Sequence, residues 1–386
     1  MSESLGDVSV PGLFRLARSK AATTRPTYAA LGEVLVNGGT ADVTLTDWQR
    51  SLLSQMLRQV ADYIYASLHW LVLAETEDGA DTGHGAWSNL VPDGETRVYS
   101  IMSQCGLLKD TALIEAITHR LYQHQLEQAI RPPDRKRWTN EPTLDRLGDF
   151  FDQPLPEISP VNRRISAYVF DRSRRTYRYG NPVLVPNEIE QQLYERLHWC
   201  VASVLRHMLV DEIGENFQRL DARIETASIE TIRHFLASAA APTSSSESAR
   251  ALESAGLLSI ETIHRLLKAG EIDLFEESFS RLAGLRPVLL HRLIYEAGGD
   301  CFAILARSLN VEFDQALSIF VLTRSGSTMP IREENAGGAP LKAIYGTVLI
   351  EDASSVRAHW MRHLNFASAL WEAVSDRLRD PRNTLH

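Results

Sequence analysis

Cysteine is scarce in this 386-residue chain, which holds only Cys105, Cys200 and Cys301. Three thiols so far apart exclude a disulfide framework and a CxxC zinc site, and make a reducing cytoplasm the expected compartment. Long apolar runs are missing too. The most apolar stretch, Asp47–Glu75, is interrupted by Arg50, Arg58, Asp62 and His69, so no membrane span is expected. The opening Met1-Ser-Glu-Ser-Leu-Gly-Asp7 has neither the basic region nor the apolar core of a secretory signal, and none is expected. Positive charge is in deficit, with 40 Lys+Arg against 49 Asp+Glu and a net charge of −9. That balance argues against broad, sequence-independent nucleic-acid binding.

Catalytic signatures are lacking as well. Gly337-Gly338-Ala-Pro-Leu-Lys342 has neither the Walker spacing nor a Ser/Thr after Lys, and no GxGxxG or GxSxG exists. His359 and His363 are four apart on a predicted helix, but a zinc-protease helix needs Glu where Trp360 stands. His198, Cys200 and His207 form a ligand set only on paper, because 100° per residue turns Cys200 away from both histidines. That spacing predicts a packed Cys and two partly exposed His, and His119 and His124 face each other still less well. No metal, cofactor or enzymatic activity is therefore expected.

What the chain does carry is helical periodicity. Thr46 and Gln49 form a capping box ahead of Leu52, Leu53, Met56, Leu57, Val60, Ala61, Ile64, Leu68 and Leu71, one apolar face over about seven turns. Asn187 and Glu190 repeat the design ahead of Leu193, Leu197, Val201, Val204, Leu205, Met208 and Leu209. An offset of 140 superposes the two stripes, and Gly106-Leu-Leu108 and Gly256-Leu-Leu258 follow in the same order. This suggests a duplicated half.

Ser259–Arg324 reads as five helices of about three turns with connectors of two to four residues. Ser259 caps a run that stops at Gly270, and Asp273 caps one that stops at Gly284. Pro287 opens a third, which stops at Gly298-Gly299, and Asp300 caps a fourth that stops at Asn310. A fifth, from Phe313 to Val321, ends before Gly326. Three-turn helices are marginal alone, and short connectors fold each back on its predecessor. The predicted fold class is accordingly all-α, an α-solenoid of short antiparallel helices.

Three polar stretches punctuate the pattern: a turn-rich loop at Thr76–Glu95, a Pro-rich segment at Arg131–Pro160, and a low-complexity joint at Ser238–Ser248. A last long helix is predicted over Leu341–Arg379. The expected domains are 1–130, a linker or insert at 131–160, and 161–386.

Between Arg131 and Arg178 the local charge reverses, with eleven basic against seven acidic residues. Guanidinium forks suit carboxylates and phosphates, so Arg163, Arg164, Arg172, Arg174, Arg175 and Arg178 are the candidate anion or partner site. Tyr168, Tyr177 and Tyr179 interleave with them. Trp87 and Trp138, in loop-like context, are candidate interaction anchors, whereas Trp70 and Trp199 lie beside apolar stripes and are expected to pack.

Three runs carry a resemblance: Asn181-Pro-Val-Leu-Val185, Glu195-Arg-Leu-His-Trp-Cys-Val-Ala-Ser-Val-Leu-Arg206, and Gly270-Glu-Ile-Asp-Leu-Phe-Glu276 with Arg281-Leu-Ala-Gly-Leu285. Over roughly residues 160–380 the chain resembles a bacterial domain-of-unknown-function family whose members look like HEAT-type helical repeat proteins. Leu13–Ser19 and the Asp47 helix look like a more degenerate N-terminal part of it. The resemblance implies a fold and no catalytic residues. A cytoplasmic interaction module with an unidentified protein partner is expected, with a receptor for a nucleotide or nucleic-acid segment as the alternative.

Overall fold

The computed structural model describes residues 12, 28–35, 45–74, 91–104, 106–130, 160–173, 181–184, 188–213, 217–239, 242–295, 299–325 and 339–362. Among them no β-strand occurs and the protein is all-α. No helix among them is long and apolar enough to cross a membrane. They fall into two compact units, one within Ala22–Ala251 and one within Leu252–Ser325 and Arg332–His386.

The first unit is organised by α1 (Asp47–Ala74). Its capping box forms as expected: the Thr46 amide donates to Gln49 Oε1 at 2.9 Å, and the Gln49 amide to Thr46 Oγ1 at 3.2 Å. The stripe of α1 packs on α2 (Val91–Gln104), α3 (Thr111–Ile130), α5 (Gln191–Ile213) and α6 (Phe217–Ala239). Between α3 and α5 lies α4 (Pro160–Ser173) in chain order, and α7 (Ser244–Ser254) follows α6. The two look-alike stripes belong to a single core, which holds Leu53, Leu57, Ile64 and Leu68 of α1 together with Leu193, Leu197, Val201 and Leu205 of α5, and the two helices pack on each other.

The run Asn181–Leu184 is fastened to that core at both ends. Asn181 Nδ2 donates to Gln55 Oε1 at 3.1 Å, Arg120 Nε donates to the Val183 carbonyl at 3.1 Å, and Leu184 is buried. Two expectations shift here. Val91–Glu95 belongs to α2 rather than to the predicted loop, since Pro92 is tolerated in a first helical turn. Helix α5 starts at Gln191 with the Glu190 carbonyl taking the Tyr194 amide at 2.9 Å; Asn187 lies outside the described residues.

The second unit holds the five predicted helices: α8 (Ile260–Lys268), α9 (Ile272–Ala283), α10 (Pro287–Ile294), α11 (Asp300–Ser308) and α12 (Phe313–Arg324). Each packs on the next, and α12 also packs on α8, where His264 Nε2 meets Ser318 Oγ at 2.8 Å. Ser259 caps α8 and Pro287 opens α10 as expected. Asp273 and Asp300 sit inside the first turn instead, where their charge complements the helix dipole.

The stops explain the regular folding back. Ala-Gly recurs at 255–256, 269–270, 283–284 and 297–298, a 14-residue spacing. At Gly256, Gly270 and Gly284 the backbone is left-handed, with φ of 69°, 71° and 67°. Each makes the same paired Schellman bonds, for example Gly284 N–H to the Arg281 carbonyl at 3.1 Å and Leu285 N–H to the Ser280 carbonyl at 2.9 Å. Asn310 repeats the geometry at φ 53°, as its sequence position predicts.

After α12 come α13 (Ala339–Thr347) and α14 (Ile350–Trp360). The predicted single helix over Leu341–Arg379 is broken at Val348-Leu349. The Val348 carbonyl accepts a hydrogen bond from Arg307 Nε of α11 at 3.1 Å, and Leu349 is extended at φ −71°, ψ 151°. The break lets both pieces pack on α11.

Two glycines separate backbone strain from crowding. A Cβ at Gly299 would stand 2.1 Å from Phe320 Cε2, inside a buried ring contact. At Gly284 it would meet only the end of Met361, a flexible side chain 52% exposed. Gly284→Ala should therefore cost the left-handed penalty alone, ~1 kcal/mol. Gly299→Ala adds overpacking, for a total of ~2–4 kcal/mol. Urea unfolding of the two variants checks the order.

Candidate functional site: an arginine-bearing helix and two buried histidines

Helix α4 divides cleanly into two faces. Val161, Ile165, Tyr168 and Val169 recur at helical spacing and are buried. On the other side Arg163, Ser166, Ala167 and Phe170 follow the i, i+3, i+4, i+7 pattern and are all exposed. Phe170 is 67% exposed, the most of any large apolar residue among the described ones. Its outward direction follows from the helical spacing of the buried stripe on the opposite face.

The six arginines do not act alike. Arg163 points to solvent. Arg164 forms an ion pair with Glu247 of α7, and Ser248 Oγ donates to the Arg164 carbonyl at 2.9 Å. It is thus a tether between α4 and α7. Arg172 is half-buried in the last turn, where a cation complements the helix dipole. Arg174, Arg175, Arg178, Tyr177 and Tyr179 lie outside the described residues, as do Trp87, Trp138 and His363. Tyr168 is buried, so it is core rather than a stacking surface.

Away from α4, the set His198, Cys200 and His207 is split as helical geometry requires. His207 is exposed and Cys200 half-buried. His198, expected to be partly exposed, is fully buried in α5, and neither ring nitrogen has a hydrogen-bond partner. Its neighbours are aromatic: Tyr194 at 6.0 Å between ring centroids and Trp199 at 6.3 Å. Tyr194 in turn stacks on Phe235 at 3.5 Å. Trp199 is exposed rather than packed, because it follows His198 by 100° and so leaves the core face.

Burial among these groups disfavours the imidazolium and lowers the His198 pKa from 6.5 to about 4. His124 on α3 is lowered to about 4 as well, first by burial and then by the Arg120 guanidinium; its Nε2 meets Gln128 Nε2 at 2.9 Å. Both rings are therefore neutral ballast in the core rather than acid–base groups at neutral pH.

The sign of the pH dependence follows. An unfolded imidazole titrates near 6.5 and these folded ones near 4. Between those values the unfolded chain binds more protons, so stability falls as pH drops from about 6.5 to about 4. Each ring accounts for roughly 2–4 kcal/mol over that window. His198→Leu, which removes two unpartnered nitrogens, should unfold at higher urea than the parent at pH 5 and flatten the pH profile between 4 and 6.5.

The comparison with known proteins adds a family and no named relative. No curated protein and no solved structure matches the chain. The model of the uncharacterised bacterial family DUF2336 matches residues 161–358, just over half the chain. The match opens in the first turn of α4 and closes within α14. It takes in the two-faced helix, His198 and all five short helices α8 to α12. The chain belongs to DUF2336, a family of uncharacterised proteins conserved in bacteria.

Proposed function

We propose that this protein is a non-enzymatic interaction module, an adaptor or scaffold of the cytoplasm, built on a HEAT-like stack of short helices. The observation that carries the reading is the exposed stripe of α4, where Phe170 and Arg163 bracket Ser166 and Ala167. A large apolar ring that is 67% exposed, on a helix whose other face is core, presents most of its surface to a partner. With small residues and a guanidinium beside it, it offers a partner an apolar contact and a charge-assisted hydrogen bond. The 14-residue Ala-Gly spacing and the packing of each short helix on the next support the stack.

The alternative, a receptor for an anionic ligand such as a nucleotide or nucleic-acid segment, draws on the same arginine-rich stretch. Arg163 favours it by its exposure; Arg164, already paired with Glu247, weighs against it.

Affinity capture of the tagged full chain from its native lysate, at low and at 0.5 M salt, separates the two. The interaction reading expects a protein partner that survives 0.5 M salt and falls roughly 10-fold or more with Phe170→Ala, the loss of one buried aromatic contact. Nucleic acid or nucleotide that leaves with salt and with Arg163→Glu, whatever stands at 170, would establish the alternative.

A further inference from the structure

The exposed face of α4 is symmetric about the middle of the helix. Because α4 runs from Pro160 to Ser173, its centre falls between Ser166 and Ala167. Arg163 stands three residues before Ser166, and Phe170 three residues after Ala167. At about 100° per residue, the steps from Arg163 to Phe170 come close to two full turns. The two therefore lie nearly in line along the helix, with Ser166 and Ala167 to either side. All four are exposed, and Phe170 leaves 67% of its surface open whatever else the ring touches. Val161, Ile165, Tyr168 and Val169 hold the opposite side in the core.

A face arranged this way is complementary to itself. In an antiparallel pair of α4 helices related by a two-fold axis through that centre, position 163 of each copy stands level with position 170 of the other. The guanidinium of one copy then meets the ring of its partner, and the symmetry makes this contact twice. A cation over an aromatic face is attracted without any matching carboxylate. The small side chains at the crossing let the helix axes approach to the usual separation of about 8–10 Å. The two Arg163 charges stay roughly 10 Å apart along the axis, about a Debye length in ordinary salt. A parallel pair has none of these advantages, since it sets Arg163 against Arg163. The neighbouring Arg164 is already held by Glu247 and does not compete for the ring.

We propose that the exposed face of α4 binds a second copy of this chain, as an antiparallel pair of α4 helices in which Arg163 of each copy packs on Phe170 of the partner. The proposal rests on the reading of this stripe as a protein-contact face and names its occupant. One helix of 14 residues per copy offers less area than the roughly 800 Å2 a side of a tight complex. The pair is accordingly reversible, with a dissociation constant on the order of micromolar. Pairing presents every other surface of the chain twice, which raises avidity for any repeated partner.

Sedimentation equilibrium of the untagged full chain, over about 1 to 100 μM, reads the number of chains per particle. One chain at the low end passing to two at the high end is expected. Phe170→Ala and Arg163→Glu should each weaken pairing tenfold or more, because each change acts twice across the two-fold. The exchanged variant, Arg163→Phe with Phe170→Arg, keeps every cross-contact of the antiparallel pair and should bring the affinity back to within about threefold of the parent. Both positions are exposed, so the melting temperature of the single chain should stay constant throughout. A chain that remains single at every concentration, pairing equally strong in Phe170→Ala, or an exchanged variant no better than Arg163→Glu would overturn the proposal. If a chain that stays single still captures a different protein through Phe170, pairing falls and the interaction reading stands. If capture also ignores Phe170→Ala, both fall.

Discussion

Everything in the second unit depends on the burial of one nine-residue helix. In α11 the side chains of Cys301, Phe302, Ala303, Ile304, Leu305, Ala306 and Ser308 are all buried, so the helix has almost no solvent face. A helix apolar over nearly its whole circumference is stable only when surrounded. Helices α10, α12, α13 and α14 surround it, each too short to hold its own shape in water. Burying Phe302, Ile304 and Leu305 contributes about 1.5–3 kcal/mol apiece, and none of it is available until the neighbours are in place. Helix formation and core formation are therefore one event here.

That dependence explains why punctuation was more legible in the sequence than partnership. Local chemistry alone dictates the Thr46–Gln49 capping box, the Ser259 cap, Pro287 at a first turn and the left-handed Asn310, and all four stand as read. The five helices after Ser259 follow for the same reason. Tertiary contact decided what differed. The break at Val348 depends on Arg307, forty-one residues earlier, accepting the task of satisfying a freed carbonyl. The two similar stripes line one core, a pairing the sequence does not show, because apolar periodicity says which face is buried and nothing of what buries it. His198 was misplaced by the same gap: one position on a helix separates a buried ring from an exposed one.

Of the candidate site, charge was legible and role was not. Arg163 and Arg164 are adjacent and equally basic, yet one faces solvent and the other ties α4 to α7 through Glu247. Composition counts both, whereas a partner can use only what folding leaves open. Phe170 gives the counterexample, an apolar residue that adds nothing to a charge count and stands out of the core.

The most direct test of this account is native-state hydrogen exchange of the intact chain, followed by mass spectrometry over residues 252–360. If α8 to α14 are held by the shared burial of α11, their slowest amides should exchange together, with one opening free energy and one denaturant dependence. Amides of α8 and α9 that open at markedly lower cost than those of α11, while α11 keeps its protection, would contradict it.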